Sequence, residues 1–143
     1  MIDVLLPDGV GERAASRRGA TGSPTIPTPG GTQALQRTER VAVSVEGRTG
    51  FVRRPDIVGA LIMKAAAHTA AGDAAEGRHR HDFTTLAALV AARDFRGAVL
   101  NRKDRKRLRD MLAATRADPT VMNQLDDAEE SLNRVERAAG LAE

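Results

Sequence analysis

Pro55-Asp56-Ile57-Val58-Gly59-Ala60-Leu61-Ile62-Met63-Lys64-Ala65-Ala66 is the stretch where the chain changes its period. Ile57, Val58, Leu61, Ile62, Ala65 and Ala66 recur at the spacing of one buried helix face. Pro55 suits the first turn of that helix. Just upstream the period is two. Val41-Ala42-Val43-Ser44-Val45 alternates as a strand, Glu46-Gly47-Arg48 turns it, and Gly50-Phe51-Val52-Arg53 pairs back as a hairpin. Downstream, everything reads as helix. The expected fold class is therefore α+β, with a few strands over residues 1–54 and a helical domain over 55–143.

Working towards the C-terminus, Gly72 and Gly77 loosen a loop after the first helix. Phe83, Leu86, Ala87, Leu89 and Val90 define the next helix. A third spans about 102–115, with Leu108, Met111, Leu112 and Thr115 on one side. Asp118-Pro119 opens the last helix as a cap followed by an N1 proline. Along it, Val121, Leu125, Ala128, Leu132, Val135 and Ala139 form a narrow seam. This seam suits docking on the preceding helices or on a partner helix.

Working towards the N-terminus, Thr32–Arg37 reads as a short helix. Residues 8–32 are rich in Gly, Pro, Ser, Thr and Arg and read as one long loop, unusual in a compact domain. Ile2-Asp3-Val4-Leu5-Leu6 reads as a strand, ended by the turn Pro7-Asp8-Gly9.

The 143 residues amount to one domain or part of one. Cysteine is absent, which excludes disulfides and thiolate zinc sites. There is no apolar run long enough for a membrane span and no leader-like n-region, so a cytoplasmic protein is expected. Of the 41% apolar residues many are alanine, and the aromatics are Phe51, Phe83 and Phe95 alone. A thin core is expected. The net charge of +3 and pI near 10.1 suit an anionic partner such as RNA or a nucleotide.

Several polar residues invite a chemical reading. Asp3 lies amid strand apolars, where a carboxylate is paired, metal-bound or on a solvent face. Lys64 falls at the edge of the buried helix face, so it either snorkels to water or aims into a cleft to meet phosphates. Asp82, one residue before Phe83, is either an N-cap or an acid facing Lys64. His68, His79 and His81 have poor spacing for shared metal ligation, and Arg78 and Arg80 interleave with the last two. A basic loop is the better reading there. Arg102, Arg105, Lys106 and Arg109 share one face of the third helix, turned from Leu108 and Met111. That face is either solvated or laid along an RNA backbone.

Taken in order, Ile2-Asp3-Val4-Leu5, Pro7-Asp8-Gly9-Val10-Gly11, Pro29-Gly30-Gly31-Thr32-Gln33-Ala34-Leu35, Arg53-Arg54-Pro55, Ala60-Leu61-Ile62-Met63-Lys64-Ala65 and Arg80-His81-Asp82-Phe83 resemble the later part of AbiEii-type nucleotidyltransferases. These are the toxins of type IV toxin–antitoxin systems. The resemblance implies a partial polymerase-beta-like nucleotidyltransferase sheet followed by a helical bundle. It implies Mg²⁺-dependent transfer of a nucleotide from an NTP to an acceptor such as tRNA, and a cognate antitoxin as partner. Under it, Asp3 matches a metal carboxylate, Lys64 the nucleotide-contacting lysine and Asp82 the catalytic acid that follows. The family's Gly-Ser turn and Asp-x-Asp strand should precede Asp3 and do not; Gly22-Ser23 follows it and lacks the acid pair. A truncated member, inactive alone, is therefore expected. The alternative is a non-catalytic basic helical module that binds RNA or a protein partner.

Overall fold

The computed structural model describes residues 5–12, 16–19, 22–70 and 73–142. Two short strands, β1 (Leu5–Pro7) and β2 (Ile26–Thr28), pair in parallel, Leu5 opposite Ile26. Helix α1 (Gly31–Gln36) follows. Strands β3 (Thr38–Val45) and β4 (Arg48–Pro55) form a separate antiparallel hairpin. Then come α2 (Ile57–Ala70), α3 (Asp73–Ala88), a 3₁₀ turn (Ala92–Phe95), α4 (Arg102–Arg116), α5 (Pro119–Met122) and α6 (Ala128–Ala138). The mixed α+β class is as expected.

Local chemistry moves several boundaries. The long loop carries β2 and an isolated bridge between Arg18 and Pro24. With Pro27 in its centre, β2 lacks the period-two signal of a strand; proline is tolerated because, among the described residues, β2 pairs on one side only. Pro55 closes β4 opposite Thr38 instead of opening a helix. Asp56 takes over as the cap of α2, its Oδ1 accepting the Gly59 amide at 2.7 Å. Gly77 lies inside α3, not in a loop, so packing overrides a penalty of about 1 kcal/mol. The expected single last helix is two. Asp118 does cap α5, accepting from the Thr120 and Val121 amides, but the chain turns at residues 123–127 before α6 begins. Asn123, Asp126 and Asp127 supply the turn chemistry. The seam survives the break: Val121, Ala128, Leu132, Val135 and Ala139 are buried and Leu125 is half-buried.

The core belongs to the helices. Val58, Leu61, Ile62 and Ala65 of α2 meet Phe83 and Ala87 of α3, Leu108, Met111 and Leu112 of α4, and Leu132 and Val135 of α6. Helix α2 is central, touching α1, α3 and α4, while α6 closes over α3, α4 and the 3₁₀ turn. Phe83 and Phe95 are the buried aromatics; Phe51 is 58% exposed. No helix among the described residues is long and apolar enough to cross a membrane.

Two glycines seat α1 between β1 and α2. Gly30 has φ of +77°, and a Cβ there would lie 3.0 Å from the Ala66 Cβ. A Cβ on Gly31 would lie 2.8 Å from the Pro7 Cα. Asp8 completes the joint. Its Oδ1 accepts the Thr32 amide at 3.1 Å, its carbonyl accepts the Thr32 hydroxyl, and its Oδ2 lies 3.4 Å from Arg107 Nη2 on α4.

Candidate functional site

Lys64 projects from α2 and Asp82 from α3, two helices packed side by side. The Lys64 Nζ donates to Asp82 Oδ2 at 2.5 Å, and both side chains are about one-third exposed, 32% and 31%. Asp82 is well inside α3 and is not its N-cap, because α3 begins at Asp73. Of the two readings for each residue, the acid facing the lysine is the geometry found. Burial alone would raise the Asp82 carboxyl. The hydrogen bond and charge of Lys64, with the charges of Arg78 and His81, outweigh it and hold the group below its ordinary range.

Lys64 of this pair, though not Asp82, lines a cleft of about 580 Å³, together with Leu5 of β1, Ile26, Pro27 and Thr28 of β2, Pro29, and Met63, Ala67, Ala70 and His79 of the helices. This size is ordinary for a small-molecule site. His79 is an addition that sequence reasoning did not assign to the cleft. Its Nδ1 is buried without a partner. Burial, then the charge of Lys64, pushes its pKa down, so the imidazole is neutral there. A second cleft, of about 380 Å³, runs on from the first: Leu5, Thr28 and Met63 line both. It ends at Thr38, Arg53 and Pro55 at the foot of the hairpin.

Asp3 lies outside the described residues. The expected basic loop of residues 78–81 is helical, within α3. There the Arg80 Nε holds Asp118 Oδ2 at 2.9 Å, and the His81 ring nitrogen meets the Gln124 amide oxygen. The basic face of α4 divides. Arg102, Lys106 and Arg109 are exposed, with Lys106 paired to Asp110 at 2.5 Å. Arg105 is half-buried and turned to the end of α6, where its Nη1 donates to the carbonyls of Ala139 at 3.2 Å and Gly140 at 3.3 Å. It acts as a C-terminal cap, a role that the helix face by itself did not suggest.

The resemblance implies Mg²⁺, which needs carboxylate and phosphate oxygens. Among the described residues no group of three His, Asp or Glu side chains gathers to hold an ion. No carboxylate is among the described residues that line the cleft, and Asp82, beside Lys64, is already engaged by it. The described donors do not fit Mg²⁺, and no chemical step is routed through it.

Scanning against family models gave no match, and searches of curated proteins and of solved structures gave none either.

Proposed function

We propose that this chain is the later part of an AbiEii-type nucleotidyltransferase, with Lys64 as the contact to the phosphates of an NTP. The observation that carries the reading is Lys64, held by Asp82 at 2.5 Å and lining a cleft walled by β1 and β2. Lys64 brings the positive charge, and Asp82 fixes where its ammonium points. An anionic triphosphate entering beside Met63 and Thr28 gains from that charge more than it would in open solvent, because the apolar walls lower the local dielectric. The neutral His79 adds no competing cation. Asp3 is the one residue of this chain that the resemblance matches to a metal carboxylate, and no group of acids or histidines gathers among the described residues to join it. On this reading the chain by itself binds the nucleotide without transferring it.

The test has two arms. In titrations followed by amide resonances, ATP or CTP should shift signals around Lys64, Asp82 and His79, and Lys64→Ala should weaken the binding about tenfold, the loss of one charge-assisted contact. Binding untouched by Lys64→Ala would remove the site. With radiolabelled NTP, Mg²⁺ and tRNA, no label should be transferred. Labelling that disappears in Asp3→Ala would overturn inactivity of the isolated chain.

A second reading, a non-catalytic module that binds RNA through α4, is favoured by one observation: Arg102, Lys106 and Arg109 remain exposed on one side of that helix.

A further inference from the structure

The β3–β4 hairpin has two unlike faces. Residues directly opposite each other in an antiparallel pair share a face. The register sets Arg40 opposite Arg53, Ala42 opposite Phe51 and Ser44 opposite Thr49 on one side. On the other side stand Glu39 opposite Arg54, Val41 opposite Val52 and Val43 opposite Gly50. Both glutamates of the hairpin lie off the first face. Glu39 neutralises Arg54 on the second, at 2.7 Å, and Glu46 is in the turn. The first face thus carries two arginines and no acid, and Arg40, Ala42, Ser44, Thr49, Phe51 and Arg53 are all exposed.

Two features of this face run against stability. Like charges directly opposite on a ladder destabilise it, yet Arg40 faces Arg53. A large aromatic ring left in solvent forfeits burial, yet Phe51 is 58% exposed; the Arg40 guanidinium, 3.6 Å from the ring centroid, stacks favourably on one face of the ring and leaves the other open. One kind of partner resolves both. Phosphates relieve the arginine repulsion, and bases stack on the exposed guanidinium and ring.

We propose that this hairpin face binds a single-stranded nucleic acid through phosphate contacts at Arg40 and Arg53 and base stacking at Phe51 and Arg40. The foot of the same face, at Thr38 and Arg53, forms the end of the cleft that continues past Leu5 and Met63 to Lys64. A strand held on the hairpin is therefore led towards the lysine, as an acceptor end would be. That last step rests on the transferase reading; the binding does not.

The experiment uses the full chain and a fluorescein-labelled single-stranded RNA of about 12 nucleotides, without NTP or Mg²⁺, so that failure of the transferase reading leaves the result intact. Anisotropy titrations at several salt concentrations should show affinity falling about tenfold in Phe51→Ala and recovering in Phe51→Trp. The double variant Arg40→Gln with Arg53→Gln should lower the salt slope by about 1.4, at about 0.7 per phosphate contact. None of the three residues belongs to the helical core, so thermal melting should be unchanged. The proposal is overturned if these variants bind like the parent. It is equally overturned if Arg102→Gln with Arg109→Gln on α4 alone abolishes binding, or if duplex DNA of that length binds as tightly and ignores Phe51→Ala.

Discussion

Asp104 is the residue whose surroundings fit it least. It lies in the first turn of α4, is 1% exposed, and neither carboxylate oxygen has a partner at hydrogen-bond distance. Arg107 Nη1 stands 4.0 Å from Oδ1. Burial raises its pKa above the ordinary value of 3.8, against the charges of Arg107 and Arg37, and the charge of Asp8 adds to the rise. The sign follows. A raised carboxyl holds its proton longer in the folded state, so it lowers stability as pH climbs from 3.8 through the folded pKa. Asp104→Asn removes that penalty. At pH 7 the variant should be more stable than the parent by about 1 kcal/mol, the low end of the cost of a buried unpaired group. The gain should vanish below pH 3.8. Urea melts of both proteins across pH check this, and a gain independent of pH would place the cause elsewhere.

At the scale of elements, the seat of α1 governs the cleft. Helix α1 has six residues and too few hydrogen bonds to stand alone. It is held because Gly30 and Gly31 bring its start against Ala66 and Pro7. Gly30→Ala forces a side chain into the left-handed region, costing about 1–2 kcal/mol, and also presses its Cβ to within 3.0 Å of Ala66. The expected result is a lower melting temperature together with weaker nucleotide binding, since β1 and β2 wall the same cleft. Gly47→Ala sits at φ of +74° but with nothing within 4 Å of the added Cβ. It serves as the control: its strain stays in the hairpin, outside the helical core, so both the melting temperature and nucleotide binding should stay as in the parent.

For the whole molecule, stability is unevenly placed. The buried hydrophobic cluster draws every member from residue 58 onwards. Among the described residues each sheet has two strands, and such pairs are marginal in water unless something covers them. Hydrogen exchange should therefore protect the amides of α2, α3, α4 and α6 most. Amides of β3 and β4 should exchange faster by orders of magnitude, because the hairpin is largely exposed on both faces. Protection of the hairpin equal to that of α2 in the free chain would show a unit more cooperative than this core implies.

The sequence by itself determined the period-two hairpin, the buried face of α2, and the seam of α5 and α6. These depend on local spacing, and spacing survives whatever the partners are. Only the tertiary structure decided that Lys64 and Asp82 pair, that Arg105 serves the end of α6, and that the arginine-bearing hairpin face runs into the cleft. Eighteen positions separate Lys64 from Asp82 and thirty-four separate Arg105 from Ala139. No helical or strand period spans such gaps. The packing of α2 on α3, and of α6 across α4, sets which charges meet, and with them which residues are left to act on a ligand.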